Sequence, residues 1–244
     1  YFPDKTKNYE LGIHSQWLDR RLTINGAIFL VEWTDPQVDS ATENGLIPIT
    51  KNGEAAESVG MELDFRFKIT PDLTVRGNYS YAKAELTETT LNLVPSINPP
   101  GFQSTITYEN GEPGDRLPGA PENQGSLYIE YSAPPIAGLN VDFAYGMSAT
   151  GDVLTRTGGR GGGITLDGYS IADLSVKVSN DSWDATVYIS NLWNTYAETG
   201  ARSTPRHNQI VSDINGDPVY ARSFYTSVLP PRAIGFRFTK RFGG

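Results

Sequence analysis

SVGMELDFRFKI, residues 58–69, decides the fold. Val59, Met61, Leu63, Phe65, Phe67 and Ile69 take every second position, and Ser58, Gly60, Glu62, Asp64, Arg66 and Lys68 fill the gaps. Successive side chains of a strand point to opposite faces, so this strand has one greasy face and one polar, charged face. A soluble sandwich would press the greasy face onto a second sheet. A membrane barrel would turn it to lipid and keep the polar face on a watery or plugged lumen.

Eight further stretches alternate in the same way, which makes nine strands in all. Residues 8–18 put Tyr9, Leu11, Ile13 and Trp17 opposite Asn8, Glu10, His14 and Gln16, and residues 21–34 put Leu22, Ile24, Ile28 and Leu30 opposite Thr23 and Asn25. Beyond residue 69, Leu73, Val75, Tyr79 and Tyr81 alternate with Thr74, Arg76, Asn78 and Ser80. Leu127, Ile129 and Tyr131 mark a fifth strand, Leu139 to Met147 a sixth, and Leu174, Val176 and Val178 a seventh. Trp183, Ala185, Val187 and Ile189 mark an eighth, and Ile234, Phe236, Phe238 and Phe242 the last.

The connections alternate as well. Asp19-Arg20, Thr70-Pro71-Asp72, Ala133 to Gly138 and Asn180-Asp181-Ser182 read as short turns. A polar stretch of about twenty residues before residue 55 and residues 87–123, 150–168 and 194–231 read as long loops. Outer-membrane barrels carry short periplasmic turns and long extracellular loops, so the short turns fall on one side and the long loops on the other. Trp17, Trp183, Tyr79, Tyr81, Tyr145 and Phe242 fall near strand ends, where aromatic girdles meet the lipid interfaces.

Composition narrows the partners. The 244 residues carry a formal net charge of -8 and no cysteine. The acidic balance argues against nucleic acid, which needs a basic footprint. Without cysteine there is no disulfide framework and no thiolate metal site. No apolar run is long enough for a transmembrane helix, but a spanning strand needs only about 9–11 residues, half of them apolar. The fold class is therefore all-β, an antiparallel transmembrane barrel. The rival from another class is a soluble all-β carbohydrate-binding or structural module, with Tyr and Trp stacking on sugar rings, and a third reading is a passive porin.

Several segments resemble, in order, the barrel of TonB-dependent outer-membrane receptors. They are Lys7-Asn8-Tyr9-Glu10-Leu11-Gly12, Asn52-Gly53-Glu54-Ala55 with Gly60-Met61-Glu62-Leu63, and Gly114-Asp115-Arg116-Leu117-Pro118-Gly119-Ala120-Pro121. Ser190-Asn191-Leu192-Trp193-Asn194-Thr195-Tyr196 and Pro231-Arg232-Ala233-Ile234-Gly235-Phe236 complete the series. The resemblance implies the C-terminal portion of a barrel of about 22 strands around an N-terminal plug. It further implies import of a bulky nutrient across a Gram-negative outer membrane, with a ferric siderophore as the default ligand. Cobalamin, haem and an oligosaccharide are the alternatives. The implied partners are the outer-membrane bilayer, the remaining barrel and plug, and the TonB complex. No enzyme activity and no cofactor are implied. Residues 1–244 are expected to be barrel throughout, with plug and earlier strands outside them. The odd count of nine supports a fragment, because bacterial single-chain barrels have an even strand number. A strand hidden around 101–108 or 220–228 would restore parity.

Candidate chemistry is confined to the loops. Arg156, Arg160, Arg202, Arg206 and His207 lie in the last two long loops, where a cationic cluster would attract an anionic ligand. Asp213, Asn215 and Asp217 have the oxygen-ligand spacing that opens a calcium loop, although Phe224 stands where such a loop needs Glu. Thr157 to Gly163 lacks the Lys-Ser/Thr of a phosphate-binding loop and reads as a mobile extracellular loop.

Overall fold

Nine strands pair into one antiparallel sheet in the computed structural model, which describes residues 2–41, 48–98, 105–161, 163–202, 208–212, 215–216, 218–222 and 224–242. They are β1 (Lys5–Trp17), β2 (Leu22–Thr34), β5 (Ala55–Lys68), β6 (Leu73–Leu86), β9 (Asn123–Ile136), β10 (Leu139–Thr150), β13 (Tyr169–Ser179), β14 (Trp183–Ser190) and β19 (Ala233–Lys240). Their order in the sheet follows their order in the chain, so the sheet is a meander.

The register explains the alternation. One row of directly opposed residues runs through Trp17, Leu22, Phe67, Val75, Ile129, Tyr145, Leu174, Ile189 and Ile234, one residue from each strand. All nine are apolar or aromatic. The row starts at the last residue of β1 and ends at the second residue of β19. This stagger is what strand tilt produces in a barrel wall. The neighbouring row on the other face reads Gln16, Thr23, Arg66, Arg76, Tyr128, Gly146 and Asp173.

Among the described residues nothing covers the apolar face: Leu11 is 71% exposed, Ile234 73% and Phe236 66%. A sandwich would have buried these side chains under a second sheet. From Val59 in β5 to Ile69, the residue just after it, the greasy positions extend roughly 33 Å along the chain. At a tilt of about 40° that is about 25 Å along the barrel axis, the height of an outer-membrane apolar band.

The short turns have local causes. Asn180 Oδ1 accepts the backbone N–H groups of Ser182 (2.9 Å) and Trp183 (3.0 Å), and Thr70 Oγ1 accepts those of Asp72 (3.2 Å) and Leu73 (3.0 Å). The third turn is tighter than the sequence suggests. β9 continues through Pro134 and Pro135 to Ile136, and only Ala137 (φ 53°) and Gly138 (φ 77°) make the turn. Two positive φ values in a two-residue hairpin match the twist of the flanking strands. The prolines are tolerated because β6 stops pairing with β9 at Tyr131 and, on the other side, the β9–β10 register shifts between Leu139 and Val141, leaving Pro134 and Pro135 without ladder partners.

The long connections carry small hairpins of their own. β3 (Gln37–Ala41) pairs β4 (Pro48–Asn52), and β7 (Thr90–Asn98) pairs β8 (Thr105–Gly111). β11 (Val153–Leu154) pairs β12 (Thr165–Leu166), with a single 3-10 turn, Thr157–Gly159, between them. In the last loop β15 (Glu198–Arg202) pairs β18 (Tyr225–Val228) around the inner pair β16 (Asn208–Ser212) and β17 (Pro218–Arg222). Residues 105–108, 220–222 and 225–228 thus hold strand, but it pairs within its own loop and the sheet keeps nine strands among the described residues, while 101–104 and 223 lie outside them.

The main buried apolar cluster sits at the loop end of the sheet, not within it. Val38, Ala56, Leu86, Leu93 and Val94 pack together, flanked by Trp33 and Leu117. It joins the 35–54 connection to the 87–122 connection, and the Ser40 hydroxyl donates to the Leu93 carbonyl (3.0 Å) beside it.

The two faces should answer differently to charge. Leu63→Arg, at mid-height of the apolar face, is expected to cost about 2–4 kcal/mol of folding stability in lipid. Ser80→Arg, on the polar face opposite Glu62, should cost well under half of that. Denaturant titration of the full barrel in bilayers measures both.

Candidate functional site

Two regions concentrate polar chemistry: the polar face of the sheet and the docked loops at one end. On the polar face His14, Asn25 and Asp64 form a chain across β1, β2 and β5. Asn25 Nδ2 donates to Asp64 Oδ2 (2.9 Å), which turns its carbonyl oxygen toward His14 Nδ1 at 3.0 Å. That oxygen can only accept, so His14 carries its proton on Nδ1 there. Arg76 lies over the Tyr128 ring (5.1 Å to the centroid) and 3.5 Å from Glu130. The Ser132 hydroxyl donates to Asp142 (2.7 Å), which faces Lys177 at 4.0 Å, and Arg241 donates to Asp184 at 2.7 Å. Two shallow recesses lie on this face, one lined by Asp64, Asn78, Ser126 and Ser148, the other by Arg76, Tyr128, Asp173 and Tyr188. Such exposed pairs contribute about 0–1 kcal/mol each, so the face is a wetted, charge-balanced wall.

The loops are organised by residues 112–122. This segment runs beside the end of β6: Leu86 N–H donates to the Asp115 carbonyl (2.9 Å), Gly114 N–H to the Leu86 carbonyl (2.8 Å) and Leu117 N–H to the Ala84 carbonyl (2.8 Å). It holds Asp115 and Arg116 toward the 151–168 loop. Arg160 donates to Asp115 through Nε (2.8 Å) and Nη2 (3.1 Å), and Arg116 Nη1 donates to Asp152 (2.7 Å). Arg116 Nη2 also donates to the Asp152 carbonyl, and Glu122 stands 3.6 Å from its Nε. Gly158 N–H donates to the Arg116 carbonyl (2.9 Å) and Gly119 N–H to that of Leu154 (3.0 Å).

Asn191 fixes the last loop at its root. It is 6% exposed, and its N–H donates to Asp173 Oδ1 (2.9 Å). Its amide nitrogen donates to the carbonyls of Thr195 (2.9 Å) and Pro230 (3.0 Å), and its amide oxygen accepts from Thr195 N–H (2.8 Å). One side chain therefore ties both legs of the loop together. Asn194 Oδ1 accepts Arg232 N–H (3.0 Å) and adds a second tie.

The loop cations expected to bind a ligand separate into groups. Arg160 is held by Asp115, whose hydrogen bond and charge keep its guanidinium pKa above the ordinary value. Burial pushes that of Arg156 down, and a Cβ on Gly163 would stand 3.0 Å from the Arg156 Cβ and 3.2 Å from the Arg160 carbonyl. The loop thus folds Arg156 and Arg160 around Gly163. Arg202 is exposed on β15, which touches β12 of the neighbouring loop. Arg206 and His207 lie outside the described residues. Of the calcium candidates, Asn215 is exposed in the connection from β16 to β17 and Gly216 follows with φ 87°, while Asp213 and Asp217 lie outside the described residues. Among the described residues no three His, Cys, Asp or Glu side chains converge as a metal site. Thr157 to Gly161, read from sequence as mobile, forms a hydrogen-bonded turn against Arg116. Sequence reasoning about charge passed over Asp115, Arg116 and Asn191 as functional residues, although each stands inside a quoted motif.

A family model described as TonB dependent receptor-like, beta-barrel, matches residues 3–192. The fold matches solved outer-membrane receptors. The ferric yersiniabactin uptake receptor FyuA from Yersinia pestis superposes with a TM-score of 0.66 at 16% identity over 96% of this chain and 29% of that one. The ferric-catecholate import receptor Fiu from E. coli K12 gives 0.60 at 20% identity over 98% and 27%. The ferripyoverdine receptor of Pseudomonas aeruginosa gives 0.57 at 18% identity over 97% and 27%. The chain therefore spans less than a third of the length of these receptors.

Asn191→Ala removes three side-chain hydrogen bonds from a buried position and should cost about 1–3 kcal/mol. Limited proteolysis is expected to cut faster between residues 195 and 230, with the sheet unaffected.

Proposed function

The chain belongs to the TonB-dependent receptor β-barrel family, and on that premise we propose that it is the C-terminal portion of a barrel that imports a ferric siderophore. The family resides in the bacterial outer membrane and its members are transporters, not enzymes. The observation that carries the reading is the nine-strand sheet with an uncovered apolar face and two free edges, β1 and β19.

Those edges support a wall completed by further strands. All neighbours are antiparallel and the count is odd, so β1 and β19 run in the same direction. Joining them directly would create a parallel pair. A fully antiparallel closure needs an odd number of further strands between them, and thirteen would give the 22 of plugged transporters. The polar face, rich in paired charges, suits contact with a plug and with water. Energy coupling through TonB would then act on that plug.

The ferric siderophore reading draws support from the names of the matched receptors, which take ferric yersiniabactin, ferric catecholates and ferripyoverdine. It draws further support from the arginines on the docked loops, since many ferric chelates are anionic. A passive porin would share the wall but need no energy.

Uptake separates these readings. Deleting the gene should abolish growth on at least one ferric siderophore under iron limitation, and a protonophore should stop uptake of the labelled chelate in the parent strain. Uptake that survives the protonophore would indicate a passive pore. Growth unchanged on every ferric siderophore tried would refute the siderophore assignment.

A further inference from the structure

The guanidinium of Arg160 grips the Asp115 carboxylate through two nitrogens, at 2.8 and 3.1 Å. This is the fork that arginine offers to any carboxylate, whether it belongs to the protein or to a ligand. Arg116, one residue along, holds Asp152 at 2.7 Å. The two pairs cross between the same two loops with opposite polarity: segment 112–122 gives an acid and then a base, and loop 151–168 returns a base and an acid.

We propose that Arg160 and Arg116 form an anion-binding site which the protein's own carboxylates, Asp115 and Asp152, occupy, so that a polyanionic ligand binds by displacing them and frees loop 151–168. The ligand class rests on the uptake reading above.

Three observations fit a displaceable internal anion. First, the site is open where exchange must occur and closed behind: the Arg160 and Asp152 side chains are 36% and 53% exposed, against 12% for Asp115 and 16% for Arg116. Second, the fit is built. Asp115 also accepts Glu112 N–H at 2.8 Å, and a Cβ on Gly158 would lie 2.5 Å from Asp115 Oδ1. Only glycine lets this loop settle on that carboxylate. Third, two backbone hydrogen bonds between the same two loops stand beside the ion pairs. They are Gly158 N–H to the Arg116 carbonyl and Gly119 N–H to the Leu154 carbonyl. A ligand that takes both guanidiniums therefore removes the ion pairs and leaves those backbone bonds without them. Binding energy and loop release are coupled, because the ligand interacts with one arrangement of the loops and not the other.

The test uses the complete receptor in detergent and citrate, a metal-free trianion, against sodium chloride at equal ionic strength. Hydrogen exchange at the amides of Gly158, Gly159 and Arg160 reports the clasp. Citrate should speed this exchange at least threefold in the parent protein, and Arg160→Gln should remove the citrate response. Asp115→Asn should raise exchange without any anion, at least fivefold, and should bind citrate at least threefold more tightly because the competitor is gone. Exchange in the parent that ignores citrate, or citrate binding no tighter in Asp115→Asn, overturns the proposal and leaves the pairs as a fixed clasp. Failure of siderophore uptake would not move these readouts, so the two ideas fall separately.

Discussion

A strand in hydrocarbon has no water to satisfy its N–H and C=O groups, and every other feature of this sheet depends on that. Each backbone group must find a partner in the neighbouring strand, because an unsatisfied one costs several kcal/mol. The meander meets the demand locally, each strand pairing with those before and after it in the sheet. The two end strands, β1 and β19, each keep one open edge. With the ladder fixed, side chains are left to choose a solvent, and the period of two lets one strand serve lipid and water at once. The nine-residue row from Trp17 to Ile234 is that choice read across the wall, and the row from Gln16 to Asp173 is its opposite.

Both faces also bear on shape. On the polar face the Phe29, Tyr128 and Tyr188 rings each lie over a glycine directly opposite: Gly60, Gly146 and Gly235. A Cβ on any of these would overlap the ring. The aromatic side chains are thus laid along the wall instead of standing into the space it faces. Polar groups above them are paired and modest in strength, which lets the face meet a second protein surface or water without a large penalty for either.

How much of this could be read from the chain follows from where the information sits. Alternation is local, so Val59 to Ile69 alone gives strand and face, and the membrane follows only when the short turns and long loops are set beside it. Turn chemistry is local too, and Asn180 and Thr70 act within three residues. Pro134 and Pro135 misled because a proline's cost depends on whether a neighbour needs its missing N–H, and the end of β6 on one side with the register shift to β10 on the other decides that. The aromatic-glycine pairs were hidden for the same reason: Tyr188 and Gly235 are 47 positions apart and meet only through the pairing of β14 with β19. Charge counting found Arg160 but not the Asp115 that holds it, since the partner lies in a different loop.

The loops obey the other solvent. A connection as long as 87–122 gains nothing from lipid and must secure its order against chain entropy with contacts of its own. It does so where it leaves the wall: Leu86, Leu93 and Val38 exclude water between two loops, Asp115 and Arg116 clasp a third, and Asn191 closes the legs of the fourth. These contacts differ in kind, and so in what can undo them. Apolar packing at Leu93 offers a soluble anion nothing to compete for. A carboxylate held on an exposed guanidinium does, because water and ligand reach the same nitrogens. The contact between 35–54 and 87–122 is therefore the apolar half of the loop assembly. The clasp between 87–122 and 151–168 is the half whose strength depends on what is dissolved outside.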